Sequence, residues 1–211
     1  MSDTRAAATK QALVDATMRV IREQGISAVS TRTISAAGGV NQALIFYHFG
    51  SVDGLVAAAC LDSTAQRVAL MRPELDAVST FTELVEVAGR LHRQEREVGN
   101  VTVLAQVLAG SHGNPALAEA TGAALGLWND QVRTTLTRLL RDSPLSDVLD
   151  AGALTDLVSA TFIGLELTEP TRADSATLEQ ALAGVSRLAA TLDGLGPVAR
   201  RALRSALRAS R

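Results

Sequence analysis

The sequence predicts an all-α fold, and three observations carry that prediction. Of the 211 residues, 47% are hydrophobic but only 3% aromatic, so the core must be assembled from Ala, Leu and Val, and Ala and Leu are among the strongest helix formers. Apolar residues recur every three or four positions through most of the chain, the period of a helix with one buried face. No segment shows the period of two that a half-buried strand requires, and no internal repeat is present.

In chain order, Leu13, Ala16, Val20 and Ile21 mark the inner face of a first helix from Thr4 to about Glu23, with Asp15, Arg19 and Arg22 on its other side and Gly25 ending it. Ser30 is placed to cap a short second helix through Ala37, with Ile34 turned inward, and Gly38-Gly39 stops it. Asn41 is placed to cap a third helix running to about Tyr47 or His48. After Gly50-Ser51 a longer helix begins near Val52, with Asp53 in its first turn, where a carboxylate suits the helix dipole. Further helices follow at Phe81 to Arg96, Val101 to Leu108, Pro115 to Arg141, Ala151 to Leu167 and Ser175 to Leu192, separated by Asn114-Pro115, Asp142 to Pro144, Glu169-Pro170 and Gly194 to Pro197. The expected organisation is a three-helix N-terminal domain over residues 1–51 and a larger C-terminal helical bundle over 52–211.

Bulk composition excludes several classes. A formal net charge of −2 argues against a protein that coats nucleic acid along its whole surface, although a local basic patch remains open. Cys60 is the only cysteine, so no intramolecular disulfide forms, and no Cys/His set has zinc-ligand spacing. Residues 1–10 are polar and no apolar run reaches the roughly 18–20 residues needed to span a bilayer, so a cytoplasmic protein without membrane attachment is expected. No cofactor or metal is expected.

Residues 30–49, STRTISAAGGVNQALIFYHF, hold the parts of a helix-turn-helix, two short helices joined by a tight turn in which the second enters the major groove. Ile34, Ala37, Val40 and Ile45 can face a small core, while Gly39 sits where a left-handed backbone is needed. The remaining faces carry Thr31, Arg32, Gln42, Tyr47 and His48, side chains able to donate to phosphates and base edges.

The same run resembles the signature of the tetracycline-repressor (TetR) family, in which Ile-Ala-x-x-Ala-Gly-Val-Ser leads to Leu-Tyr-x-His-Phe and then Ser-Lys-x-x-Leu. Here the corresponding residues are Ile34-Ser35, Gly38-Gly39-Val40-Asn41, Ile45-Phe46-Tyr47-His48-Phe49 and Ser51-Val52-Asp53-Gly54-Leu55. The resemblance spans about residues 8–60. It implies DNA contacts from Thr31, Arg32, Asn41, Gln42, Ala43, Leu44, Phe46, Tyr47 and His48, with Gln42 the first choice for base readout because its amide can pair bidentately with adenine. Two residues depart from the signature: Phe46 replaces a tyrosine and Val52 a lysine, both of which reach phosphate in the family, so sequence-independent affinity should be weakened. His48 has a second reading, as a cap on the carbonyls ending its helix.

The resemblance further implies a homodimer on a pseudopalindromic DNA operator, repression as the default role with activation open, and release by a small-molecule effector. The expected dimer seam places Ala160, Ile163, Gly164 and Leu167 on one stripe and Leu178, Leu182, Val185, Ala189 and Leu192 on another, pairing as a four-helix bundle. An effector pocket is expected among Phe81, His92, Gln106, Trp128, Asn129, Thr161 and Phe162, few rings and few polar groups on Ala- and Val-rich faces. Cys60 reads as a small buried residue. The Arg-rich end, Val198 to Arg211, reads as a solvated last helix, with nucleic acid or anionic lipid as alternatives. The competing class is an all-α scaffold or enzyme whose N-terminal helices only mimic the motif. Against an enzyme, no nucleophile with its base, metal-ligand set or phosphate loop is visible.

Overall fold

The computed structural model of the chain describes residues 2–168 and 176–209 and is all-helical, with ten α-helices and no strand among the described residues. They are α1 (Ser2–Gln24), α2 (Thr31–Gly38), α3 (Ala43–Phe49), α4 (Val52–Ala77), α5 (Phe81–Val98), α6 (Asn100–Gly110), α7 (Pro115–Arg141), α8 (Ala151–Thr168), α9 (Ala176–Asp193) and α10 (Pro197–Ala209). Short 3₁₀ turns lie at Ile26–Ala28, Ser111–Gly113 and Pro144–Asp147. No single helix among the described residues is long and apolar enough to cross a membrane.

The chain packs as two compact units, Met1–Val68 with Val98–Leu127, and Ala69–Glu97 with Trp128–Arg211. Packing therefore does not divide the chain at residues 51/52. The helix-turn-helix is too small to close its own core, and α6 and the first half of α7 complete it. In the first unit Leu13, Ala16 and Ile21 of α1, Ile34 of α2, Ile45 of α3 and Leu55 and Ala59 of α4 form one buried cluster with Val103 and Val107 of α6 and Leu117 of α7. α1 and α2 approach closely at Gly38, where an added Cβ would sit 3.2 Å from the Ala16 Cβ.

Cys60 is buried beside Leu104 and Ala124. Burial pushes its thiol up to about 11, with a smaller opposing effect from the Thr64 hydroxyl, so it stays protonated and behaves as a small apolar side chain.

The second unit is built on Met71, Leu75 and Val78 at the end of α4, Val87 and Leu91 of α5 and Leu139 of α7. Its helix ends are closed by side chains. Arg138 donates to the carbonyls of Leu75 and Val78, at 2.8 and 2.9 Å, satisfying acceptors that the end of α4 leaves open. At the start of α5, Thr80 and Glu83 cap each other reciprocally, through Glu83 N to Thr80 Oγ1 at 3.1 Å and Thr80 N to Glu83 Oε2 at 3.2 Å. The next two amides, of Phe81 and Thr82, donate to Asp193 at the end of α9 at 3.1 and 2.8 Å, and the Thr82 hydroxyl adds a bond of 2.6 Å.

The arginines of α10 are used inside this unit. Arg208 makes a two-pronged contact with Asp147, 2.8 and 3.2 Å, and Arg204 donates to the Ser143 carbonyl at 3.2 Å. Arg200 donates to the carbonyl of Asp193 at 3.2 Å. The last helix is thus tied to the turn between α7 and α8 by its charged residues, while Leu203 and Leu207 are half-buried.

Burial alone would raise the Asp193 carboxyl, but the hydroxyl and amide of Thr82, the amide of Phe81 and the charge on Arg200 outweigh it and hold it below the usual carboxylate range. A depressed carboxyl stabilises the fold above its unfolded value, near ~3.9, and that stability is lost as pH falls through the folded value. Asp193→Asn should cost about 1 kcal/mol at pH 7, the scale of a lost helix cap. Wild-type and variant denaturant curves should draw together only as pH falls below the unfolded value and through the lower folded one; a gap that persists after the carboxyl is protonated in both states would mean that Asp193 acts through packing.

The corner between α3 and α4 is tight: an added Cβ at Gly54 would lie well inside contact distance of the Phe49 carbonyl oxygen. Gly54→Ala should destabilise the protein by about 1–3 kcal/mol, as overpacking against backbone does. An unchanged unfolding midpoint would show that the corner yields freely.

Candidate nucleic-acid interface

The helix-turn-helix begins with Ser30. Its Oγ accepts from Thr33 N at 3.2 Å while Thr33 Oγ1 accepts from Ser30 N at 3.0 Å, a capping box that starts α2 where the sequence places it. Thr33 Oγ1 also donates to the Ala28 carbonyl at 2.8 Å, anchoring that cap to the preceding 3₁₀ turn. α2 ends on Gly39 at φ +63°, a left-handed conformation that side chains with a Cβ disfavour. The chain then reverses through Val40 and Asn41. Asn41 Oδ1 accepts from Ala43 N at 2.8 Å and so closes the first turn of α3.

α3 has one side sealed and the other open. Ile45 is fully buried. Asn41, Gln42, Ala43, Phe46 and Tyr47 are exposed, with Phe46 at 54% and Tyr47 at 81%. Gln42 and Phe46, like Ala43 and Tyr47, are four residues apart and stack along one stripe. Arg32 of α2 is exposed and Thr31 half-buried. The half-buried His48 lies edge-on to the rings of Tyr47 and Phe49, with centroids 4.8 and 6.3 Å away.

Two positions of the signature stretch pack inward. Leu44, which the resemblance places at DNA, is half-buried and packs against the core. It neighbours Ile45 on the helix, and its apolar side chain follows Ile45 inward. Val52, standing where the signature has lysine, also packs against that cluster, so the substitution exchanges a phosphate contact for core packing.

The expected effector residues divide between the two units. In the second unit, Phe162 lies edge-on to His92 at 6.0 Å and tilted against Trp128 at 5.9 Å, and Ser159 Oγ donates to Asn129 Oδ1 at 2.6 Å. Phe81, in the same unit, packs against its core, and Thr161 is exposed. Gln106 is a correction: it belongs to the first unit, where its Oε1 accepts from the backbone N–H of Ile26 at 2.9 Å, so its amide oxygen is committed to the fold. No group of three or more potential metal ligands occurs among the described residues.

Along the expected seam, Ala160, Leu167 and Val185 are exposed and Ile163, Gly164, Leu182 and Leu192 half-buried. Ala189 is 4% exposed, covered within its own subunit and so withdrawn from any seam. The side chain of Leu178 lies outside the described residues. Leu157 and Leu188, outside the expected stripes, are the most exposed leucines among the described residues of α8 and α9, at 63% and 67%. Helical period alone does not separate them from neighbouring apolar residues that face inward.

Residues 13–59 match the family model described as bacterial regulatory proteins, tetR family. No curated protein matches the chain in sequence. Among solved structures, the chain is similar in fold to one described as a TetR-family transcriptional regulator from Rhodococcus sp., at 19% identity and TM-score 0.70, covering 88% of this chain and 98% of that one. It is similar to the multidrug binding protein EbrR complexed with imidazole, at 26% identity and TM-score 0.59, covering 83% and 93%. It also resembles the transcriptional regulator FadR from Bacillus subtilis in complex with stearoyl-CoA, at 15% identity and TM-score 0.65, covering 88% and 99%. Residues 13–59 thus match the tetR family model, on an all-helical fold that the whole chain shares with these structures.

Proposed function

We propose that the protein is a homodimeric repressor that binds a pseudopalindromic operator through Thr31, Arg32, Asn41, Gln42, Ala43, Phe46, Tyr47 and His48, and leaves it when a small effector binds. In this reading residues 1–51 read DNA and 52–211 sense and dimerise. The observation that carries it is the two-sided character of α3, with Ile45 sealed and the Gln42–Phe46 and Ala43–Tyr47 stripe open to solvent. A helix that served only to pack would gain nothing from leaving a phenylalanine and a tyrosine in water. Gln42 supplies the directional base contact, and Ala43 and Phe46 are suited to thymine methyl groups.

Selection of bound fragments from genomic DNA tests the reading. The parent protein should enrich an inverted repeat, and Gln42→Ala should cost about 1–3 kcal/mol and relax one position in each half-site. An unchanged motif would remove Gln42 from base readout.

Dimerisation is supported by the exposed apolar residues of the last long helices, Leu157, Ala160 and Leu167 on α8 and Val185 and Leu188 on α9. Such a surface on two neighbouring elements suits an isologous helical contact. Leu188→Arg should shift sedimentation from dimer to monomer and abolish operator binding with it; a dimer that persists would place the interface elsewhere.

The effector site is proposed around His92, Trp128, Asn129 and Phe162, with Phe81 at the start of the helix that carries His92. Phe162, in contact with the rings of both His92 and Trp128 and near a hydrogen-bonded amide, suits a mostly apolar ligand with one polar group. The ligand must favour the DNA-incompetent state, since equal affinity for both states shifts nothing. Trp128 is the only tryptophan, so a ligand that releases the operator should also change its emission. Release without any emission change would move the site away from Trp128.

A further inference from the structure

The helix-turn-helix is held by side chains at both the point where the chain enters it and the point where it leaves. Upstream, the N–H of Ile26, in the 3₁₀ turn before α2, donates to Gln106 Oε1 at 2.9 Å. Downstream, Asp53 in the first turn of α4 accepts from Asn114 Nδ2 at 2.6 Å. Both partners come from one corner of the fold, Gln106 near the end of α6 and Asn114 at the start of α7. Flanking that corner, Val103, Val107 and Leu117 are buried in the same cluster as Ile34 and Ile45.

The choice of asparagine at 114 is informative. Its Oδ1 accepts from Leu117 N at 3.2 Å, capping α7, and for that purpose serine, threonine or aspartate would serve as well. Asparagine adds an amide donor, and that donor goes to Asp53. Asp53 needs no such partner to favour its helix, because a carboxylate in a first turn already suits the dipole. Capping therefore does not account for this bond. Tying the exit of the reading head to the corner that also holds its entrance does.

We propose that Gln106 and Asn114 are positioning residues for DNA reading: together they fix the orientation of the helix-turn-helix against the α6–α7 corner, and so set the half-site spacing that the dimer accepts. The proposal rests on the operator-binding dimer argued above. Base preference belongs to α3 and is unaffected, whereas spacing depends on how rigidly each reading head is aimed.

The test uses the full-length protein and operators built from the selected half-sites, with the spacer varied one base pair at a time. Binding is measured well below the melting temperature of each variant. Asn114→Ser keeps the cap and removes the donor, and Gln106→Ala removes the acceptor. Each should retain the half-site motif, bind the optimal spacing about tenfold more weakly, the effect of one lost hydrogen bond to a charged group or a buried amide, and lose much less at neighbouring spacings. Gln106→Glu keeps an acceptor and should restore the parent profile. If Asn114→Ser and Gln106→Ala give spacing profiles that superimpose on the parent, with only melting temperature lowered, the bonds are merely structural and the proposal is overturned. A parent protein that enriches no motif would instead overturn the DNA-reading assignment itself, so the two failures are distinguishable.

Discussion

One burial constraint governs the reading head: Ile34 and Ile45 must be sealed against Leu13 and Ile21 of α1 and Leu55 of α4. An isolated helix as short as α2 or α3 does not persist in water, because nucleation costs more than its few hydrogen bonds return. Both helices therefore exist only as parts of this cluster. Once Ile45 is buried, helical geometry carries Tyr47 to the far side of α3, and Gln42 and Phe46 are exposed beside it. The exposed surface of α3 is a consequence of the core beneath it. Because Val103, Val107 and Leu117 complete that core, segments far along the chain share responsibility for its shape.

Polar groups at the helix ends are handled with the same economy. Ser30 and Thr33 close α2, Asn41 closes α3, Thr80 and Glu83 close α5, and Asn114 closes α7. Each satisfies an amide that the helix leaves without a partner. Asp193 and Arg138 do so across the sequence, one at a helix start and the other at a helix end, and they join elements that chain proximity would not join. Against this background of satisfied ends, the exposed rings on α3 and the exposed leucines on α8 and α9 are conspicuous, since nothing within the subunit covers them.

The basic last helix shows how charge is misread without its partners. Five arginines with no acidic residue in residues 198–211 suggest an open cationic surface. In the fold, Arg204 and Arg208 face the 3₁₀ turn at Pro144–Asp147, and Arg200 reaches the carbonyl end of α9. The Arg200 and Arg208 contacts are exposed and individually weak, and that of Arg204 is part-buried. Together they direct the helix toward its own unit.

Helix order, the capping serine, the left-handed Gly39 and the inward Leu13, Ala16, Ile34 and Ile45 were determined by the sequence alone, because period, caps and turn glycines are local properties of a few adjacent residues. So was the outward position of Tyr47, which lies across the helix from Ile45. Tertiary structure decided the rest. Leu44 and Val52 turned to the core, Ala189 was covered while Leu157 and Leu188 were not, and Gln106 and Asn114 became ties to the reading head. In each case the deciding partner lies on another element. Periodicity reports that a helix has an apolar face, but only the packed neighbours determine how far that face extends and which polar side chains at its margin find a partner there.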